Sequence, residues 1–176
     1  MSSIPDTTGL PTFKYHPHLY EGDEVSFQHG VCECCGQEVD AYIDLMYCRA
    51  DVNCICLNCV ASGAAAAKFH GDFVQDAEPG VTDPEKIKEL FQRTPGYCSW
   101  QGEHWLTCCD DFCAYLGTVG TKELEEMGIA DAVIDEYEAR DEYADIRDVL
   151  VKDVTLCGYL FRCLHCGAHH LWVDAD

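Results

Sequence analysis

Hydrophobic positions at helical spacing follow the pair Asp83-Pro84. Asp is a favoured N-cap residue, and Pro suits the first helical position because its fixed φ matches that of a helix. Ile87, Leu90 and Phe91 then fall at i, i+3 and i+4, so one face is apolar. The pattern predicts a helix over residues 84–92 with this face buried.

A second helical pattern covers the acidic middle of the chain. Thr121 predicts the N-cap of a helix that ends at Gly128, and Asp131 predicts the start of another. The residues expected on the buried face of this second helix are Val133, Ile134, Tyr137 and Tyr143. We interpret its carboxylates as a solvated face, because no Asp/Gly loop of the EF-hand type accompanies them. These carboxylates belong to Asp135, Glu136, Glu138, Asp141, Glu142 and Asp145.

β-Branched and aromatic residues concentrate in other segments and predict two hairpins. One pairs residues 39–47 with residues 52–55, and the other pairs residues 154–162 with residues 169–173. The alanine-rich residues 60–69 are good helix formers. Together, these patterns predict an α+β fold with short hairpins and several helices.

The first hairpin lies inside the strongest motif, two CxxC pairs made by Cys32 with Cys35 and by Cys56 with Cys59. Four thiolates at this spacing complete the tetrahedron that a zinc ion prefers. Gly36 follows the first pair, where a zinc knuckle needs a residue that tolerates positive φ. The second pair precedes the alanine-rich helix. The sequence therefore predicts a treble-clef-like zinc site.

A second knuckle, Cys163-Leu164-His165-Cys166, is also followed by a glycine and caps the second hairpin. Cys109 and Cys113 are spaced i, i+4, which on a helix would place both sulfurs on one face. We therefore predict a second zinc site from the set Cys109, Cys113, Cys163 and Cys166. The rival ligands for this site are Cys108, His104 and His165.

Other uses of the cysteines remain open. Disulfides are disfavoured in a reducing compartment, and Cys34 offers an alternative ligand register in the first site. Iron could occupy the same sulfurs, as in rubredoxin, and the pair Cys108-Cys109 could have a redox role. A closed site of four cysteines has no open position for water or substrate, so both zinc ions are predicted to be structural.

The net charge of the chain limits the classes of partner that it can bind. The chain has 11 basic and 32 acidic residues, which gives a formal net charge of −21. Direct nucleic-acid binding is disfavoured because a phosphate backbone needs a basic surface. No run of residues is long and apolar enough for a membrane span, and the first nine residues lack the pattern of a secretory signal. We expect a cytoplasmic protein with a solvated acidic surface.

A possible ligand pocket surrounds Glu103-His104, which lies between two tryptophans. The candidate pocket residues are Tyr15, His16, Arg93, Trp100, Gln101, Glu103 and His104. Walker A, GxSxG, GxGxxG and HExxH motifs do not occur in the sequence. Dense aromatic residues belong more often to a core than to a pocket. The sequence therefore favours an interaction protein, with an enzyme that uses a pocket around Trp100, Glu103 and His104 as the alternative.

The ordered set of motifs resembles the bacterial CbrC family, whose name comes from colicin tolerance. The resemblance spans about residues 10–173. Its motifs are Leu10-Pro11-x-Phe13-x-Tyr15-His16-Pro17, Cys32-x-Cys34-Cys35-Gly36, Cys56-x-x-Cys59-x-Ala61-x-Gly63-x-Ala65-Ala66-x-x-Phe69, Arg93-Thr94-Pro95-Gly96-Tyr97-x-x-Trp100-Gln101, Cys109-x-x-x-Cys113-x-Tyr115-Leu116-Gly117 and Phe161-Arg162-Cys163-x-x-Cys166-Gly167. His18 and Cys108 depart from it, where Asp and His are expected. The resemblance implies a cytoplasmic bacterial protein of no established biochemical activity.

These observations predict a disordered tail over residues 1–9 and a single domain over residues 10–176. We expect this domain to contain two zinc-centred halves, about residues 10–80 and about residues 95–176. The function that we predict is that of a zinc-stabilised interaction or regulatory protein that meets a protein or small-molecule partner. The resemblance adds a role in stress or toxin tolerance.

Overall fold

The computed structural model describes residues 5–140 and 144–175. These residues form two units. Both units contain helices and strands, which confirms the predicted mixture of helix and sheet. The first unit contains the described residues up to Gln75 together with Thr82–Cys98. The second contains Asp76–Val81 and residues 99–175. In the part of the chain that is described, no helix is long and apolar enough to cross a membrane.

The first unit is built from short strands and helices around a small core. Its strands are β1 (Gly30–Val31), β2 (Glu38–Val39), β3 (Tyr42–Ile43) and β4 (Ile55–Cys56). Its helices are α1 (Leu57–Ala61), α2 (Ala64–Phe69) and α3 (Pro84–Arg93), and a 3-10 turn covers Leu19–Glu21. β1 pairs with β2 and β3 pairs with β4, both antiparallel. The first predicted hairpin is therefore confirmed only where β3 meets β4.

The alanine-rich segment forms two short helices instead of the single predicted one. α1 ends at Ala61 and α2 begins at Ala64, because Gly63 has a φ of +76° that interrupts the helical backbone. Cys56 is the N-cap residue of α1 and Cys59 lies within its five residues. Both sulfurs of the second CxxC pair are therefore positioned by one short helix.

The prediction of α3 is confirmed. The Asp83 carboxylate accepts a hydrogen bond from the backbone N–H of Glu85 at 2.9 Å, as expected of an N-cap. Leu90 is fully buried, whereas Ile87 is 39% exposed. The predicted buried face is therefore narrower than the spacing suggested.

The second unit contains a three-stranded antiparallel sheet. The strands of this unit are β5 (Thr107–Cys108), β6 (Asp111–Phe112), β7 (Ala114–Val119), β8 (Leu156–Arg162) and β9 (His169–Ala175). Its helices are α4 (Thr121–Glu126) and α5 (Ala130–Arg140), with a 3-10 turn at Ile146–Asp148. The sheet has the order β7-β8-β9, and β5 pairs with β6 alone. The second predicted hairpin is confirmed as β8 and β9.

The N-cap of α4 lies one residue before the predicted position. Gly120, not Thr121, is the N-cap of α4, because the Gly120 N–H donates to the Glu123 carboxylate at 2.8 Å. Gly128 follows α4 with a φ of +70°, as predicted. The residues of α5 that are buried as predicted are Val133, Ile134 and Tyr137. The predictions for Asp141, Glu142 and Tyr143, and for residues 1–4 of the tail, lie outside the described residues.

We expect the buried His16 to make the first unit sensitive to acid. Its Nδ1 lies 3.0 Å from the carbonyl oxygen of Pro95. Burial lowers the pKa of His16 to about 4. The unfolded chain binds this proton near pH 6.5, so the stability that neutral His16 supports is present above that pH and falls as pH drops towards 4. The loss between pH 7 and pH 5 is about 2 kcal/mol.

Urea unfolding at several pH values measures this loss, and His16→Gln is the comparison because Gln does not titrate. The variant should lose less stability than the wild type between pH 7 and pH 5. An equal acid-induced loss in both proteins would show that other groups are responsible.

Candidate metal centres

The first thiol cluster consists of the four predicted cysteines. The sulfurs of Cys32, Cys35, Cys56 and Cys59 all lie within 4.8 Å of one another. The Sγ atoms of Cys35 and Cys56 are 3.9 Å apart. Cys35 is exposed, whereas the other three side chains are buried. The structure therefore brings together both CxxC pairs.

The first knuckle is the turn between β1 and β2. The Cys32 N–H donates to the Gln37 carbonyl at 2.9 Å, and the Gly36 N–H donates to the Cys32 carbonyl at 2.7 Å. Gly36 has a φ of +77°, in the left-handed region where other residues are strained. The turn also leaves the Cys32 sulfur able to accept the N–H of Cys56 at 3.2 Å. Backbone donors therefore support negative charge on this sulfur.

The electrostatics of the first cluster favour one thiolate among crowded thiols. Burial alone would raise the pKa of Cys32, but backbone N–H donors, including those of Cys56 and Cys35, lower it to about 7. Burial, together with the neighbouring sulfurs, raises the pKa of Cys59. A bound cation would relieve this crowding, because metal ligation stabilises all four sulfurs in the deprotonated form.

Two residues that the sequence did not single out hold the first knuckle in place. The Glu33 carboxylate accepts the N–H groups of Asn53 at 2.8 Å and of Cys54 at 3.1 Å. The Lys68 ammonium on α2 donates to the carbonyls of Glu33 and Cys34, both at 2.8 Å. These bonds join the first CxxC pair to the segments on either side of the second. Only the fold brings these partners together, since 20 or more residues separate them in sequence.

We expect Glu33→Ala to loosen the first cluster. The variant removes the acceptor for two backbone N–H groups, at a cost of about 1 to 2 kcal/mol. The free energy of unfolding of the metal-loaded protein and the rate of metal release to a chelating dye both report the effect. Glu33→Gln keeps an acceptor oxygen and should behave nearly like the wild type. Equal effects of Glu33→Ala and Glu38→Ala, a control on exposed β2, would contradict this role.

The second thiol cluster differs from the prediction in one member. The sulfurs of Cys108, Cys109, Cys163 and Cys166 lie within 4.8 Å of one another. The Cys108 sulfur is 3.7 Å from those of both Cys109 and Cys166. Three of these cysteines were predicted, and Cys108, first considered as a rival ligand, takes the place of Cys113.

Cys113 does not belong to the second cluster, because its segment follows a β-hairpin. The prediction from the i, i+4 spacing assumed a helix there. β5 and β6 pair across a tight turn, and Cys113 follows β6 in the core. Its N–H donates to the Leu106 carbonyl at 3.0 Å, and its carbonyl accepts the indole N–H of Trp105 at 2.8 Å. Burial raises the pKa of Cys113 to about 12. This thiol is therefore a core residue outside the cluster.

The turn between β5 and β6 carries Cys109 in an unusual conformation. Cys109 and Asp110 both have a φ of 55° at the two central positions, where hairpins favour Asn-Gly. A non-glycine residue in this region costs about 1 kcal/mol. This strained turn places the sulfurs of Cys108 and Cys109 beside those of the second knuckle, Cys163 and Cys166. The Cys109 sulfur thereby joins a four-sulfur group that could hold a metal ion.

The second knuckle repeats the geometry of the first. The Gly167 N–H donates to the Cys163 carbonyl at 3.2 Å, and Gly167 has a φ of +74°. The N–H groups of His165 and Cys166 each lie 3.4 Å from the Cys163 sulfur. Burial alone would raise the pKa of Cys163, but these donors lower it to about 6. Each cluster thus contains one sulfur that the knuckle backbone prepares as a thiolate.

The two rival histidines of the second site have other partners. His165 Nε2 lies 2.8 Å from the carboxylate of the buried Asp111. This contact joins the knuckle to β6, as Glu33 joins the first knuckle to the chain before β4. His104 Nδ1 lies 2.8 Å from the Asp76 carboxylate, and its ring packs on Trp172 with centroids 4.3 Å apart. Neither histidine belongs to the four-sulfur group.

The predicted pocket residues are divided between the two units. In the first unit, Tyr15 and His16 are buried, and Arg93 lines a small polar cleft of about 100 Å³. In the second unit, Glu103 is buried and Trp100 is 56% exposed. The remaining pocket residue, Gln101, donates its backbone N–H to the Asp174 carboxylate at 3.2 Å.

The spacing of the sulfurs fits a bound metal and not disulfides. A tetrahedron with Zn–S bonds of about 2.3 Å has edges of about 3.8 Å. The Cys35–Cys56 distance of 3.9 Å in the first cluster and the two distances of 3.7 Å from Cys108 in the second match this edge, and the remaining sulfurs of each cluster lie within 4.8 Å of one another. A disulfide needs a separation of about 2.05 Å, and all 14 cysteines are free thiols. The donor set is therefore suited to a thiophilic cation such as zinc or iron.

Comparisons with known proteins find relatives along nearly the whole chain. The model of an uncharacterised protein family, UPF0167, matches residues 10–175. UPF0167 protein PA1536 of Pseudomonas aeruginosa is 33% identical over 174 residues, which cover 94% of this chain and 97% of the relative. UPF0167 proteins Mb2317 of Mycobacterium bovis and MT2352 of Mycobacterium tuberculosis are each 36% identical over 175 residues, with 94% of this chain and 93% of the relative covered. No solved structure matches.

Proposed function

The chain belongs to the uncharacterised protein family UPF0167, and we propose that it binds two structural zinc ions and acts as an interaction or regulatory protein. One ion is held by Cys32, Cys35, Cys56 and Cys59. The other is held by Cys108, Cys109, Cys163 and Cys166. The observation that carries the proposal is that four sulfurs lie within 4.8 Å of one another in each cluster, with one contact of 3.9 Å in the first and two of 3.7 Å in the second.

Zinc is the ion that we propose for both clusters. Zinc and iron both accept four thiolates, but zinc is the common ion in sites built from knuckles. In the first cluster, a knuckle, a hairpin and a helix that carries the second cysteine pair correspond to a treble-clef arrangement. The second cluster uses a knuckle and a hairpin turn instead.

A structural role follows from the closed donor sets. Four cysteine ligands leave no position for water or substrate, so the metal contributes folding free energy rather than Lewis-acid catalysis. The strands around the first cluster and the β5–β6 hairpin of the second have two residues each, and strands of this length are marginal by themselves. The metal ions therefore stabilise the local fold, and the protein acts through its surface.

The resemblance to the CbrC proteins supports a cytoplasmic role in stress or toxin tolerance. A net charge of −21 favours a basic partner, since charge complementarity steers association. The same charge argues against direct contact with nucleic acid.

Elemental analysis of protein purified without added metal tests the proposal. We expect about two zinc ions per chain and no visible absorption band. If the protein is coloured and contains iron, then iron and not zinc is the resident ion. A folded protein with fewer than one metal ion per chain, at normal yield, would contradict the structural role.

A further inference from the structure

A cleft in the first unit lies among three segments, residues 23–24, residues 43–45 at the end of β3, and residues 95–98. Its volume is about 190 Å³, below the roughly 300 to 1,000 Å³ of sites for drug-sized ligands, so it suits only a small molecule. Its apolar lining is supplied by Ile43, Leu45, Pro95 and Tyr97. Its lining residues belong to neither thiol cluster.

The charged groups around this cleft all have the same sign. Asp23, Glu24 and Asp44 line it, and none of the nine lining residues is basic. Asp23 and Asp44 are exposed, whereas Glu24 is half-buried beside the apolar walls, where its negative potential is screened less by water. The cleft therefore attracts a cation that also carries apolar surface.

Glu24 is held in place by its surroundings. The backbone N–H of Cys98, on the opposite segment of the cleft, donates to the Glu24 carboxylate. Burial raises the pKa of Glu24, since the ionised form is partly removed from water. A Cβ atom at Gly22 would overlap the Glu24 carboxylate, so glycine leaves the space that this side chain occupies. The carboxylate is therefore partly desolvated and hydrogen-bonded to the backbone of the opposite segment, which favours its pairing with a cation.

We propose that this acidic cleft binds a small primary amine, with the ammonium group between Glu24 and Asp44 and the apolar body against Ile43 and Tyr97. An inorganic cation fits poorly, because magnesium and calcium need six or more oxygen ligands and this lining is largely apolar. An uncharged apolar molecule fits poorly as well, because it would leave a desolvated carboxylate without a counter-charge.

Titration of the zinc-loaded full chain with 2-phenylethylammonium, followed by amide chemical shifts, tests the proposal. We expect saturable shifts confined to residues 23–24, 43–45 and 95–98. The neutral isostere 2-phenylethanol should bind at least about tenfold more weakly, because it lacks the charge. Added salt should weaken binding of the ammonium ion.

Two variants test whether the carboxylates of Glu24 and Asp44 bind the ammonium group. Glu24→Gln and Asp44→Asn should each weaken binding of the amine about five- to tenfold. Asp40→Asn changes an exposed carboxylate outside this lining and should leave binding unchanged. Asp44 is exposed, so its variant remains informative if Glu24→Gln fails to fold.

Three results would overturn the proposal. They are equal binding of 2-phenylethanol, shifts that fail to saturate in the millimolar range, and unchanged binding in both carboxylate variants. A third ligand, Nα-acetyl-lysine methylamide, presents the same ammonium group as a protein side chain. Tighter binding of this compound would overturn the assignment to a free amine.

Discussion

Cys56→Ser is expected to release the metal ion of the first cluster and to unfold the first unit. Cys56 ends β4, begins α1 and donates its N–H to the Cys32 sulfur. A structural zinc ion contributes about 10 to 16 kcal/mol of apparent binding free energy at neutral pH. This exceeds or equals the total stability of most domains, about 5 to 15 kcal/mol, so the loss of one ligand is severe.

The experiment compares bound zinc and amide chemical-shift dispersion in Cys56→Ser, Cys34→Ser and the wild type. We expect about one zinc ion per chain and collapsed dispersion for residues of the first unit in Cys56→Ser. Cys34→Ser is the control, because Cys34 lies in the same knuckle but outside the four-sulfur group. Folded Cys56→Ser protein at normal yield, with two zinc ions, would refute the first site.

Cys108→Ser is expected to lower the metal content from about two ions to about one, whereas Cys113→Ala should keep both. The Cys108 sulfur touches two other sulfurs at 3.7 Å. Cys113 is fully buried, and its backbone carbonyl accepts the indole N–H of Trp105. Its truncation should cost only about 1 kcal/mol, from lost packing.

Elemental analysis of the two variants distinguishes the two ligand sets. Urea unfolding in excess zinc then separates a packing defect from the loss of a ligand, since added metal can rescue weakened binding by mass action. Loss of a metal ion from Cys113→Ala with two ions retained in Cys108→Ser would restore the set that the i, i+4 spacing predicted.

Local sequence patterns were sufficient for elements whose signals are local. The Asp83 cap, the glycines of both knuckles and the hairpin around Cys163-Cys166 were predicted, because caps and tight turns depend on residues a few positions apart. The first thiol cluster was predicted for the same reason, as each half is a CxxC pair. The break at Gly63 was missed because alanine-rich composition dominated the interpretation.

The fourth cysteine of the second cluster could not be decided in this way. The pair Cys109 and Cys113 fits a helix by spacing, and only pairing of Thr107 and Cys108 with β6 shows that the segment is extended. Contacts between distant segments override local propensity there. The acidic cleft is a similar case, since its three segments are far apart in the chain.

The sequence by itself determined that this protein has knuckles that present paired thiols, because a CxxC-Gly turn is fixed by its own backbone. Tertiary structure decided which distant pair completes each cluster and which side chains hold it. Glu33 meets Cys54, Lys68 meets the first knuckle, and His165 meets Asp111 only after the chain has folded. A tetrahedral site needs sulfurs placed within a few ångströms, and that precision comes from packing and long-range hydrogen bonds, which spacing along the sequence does not encode.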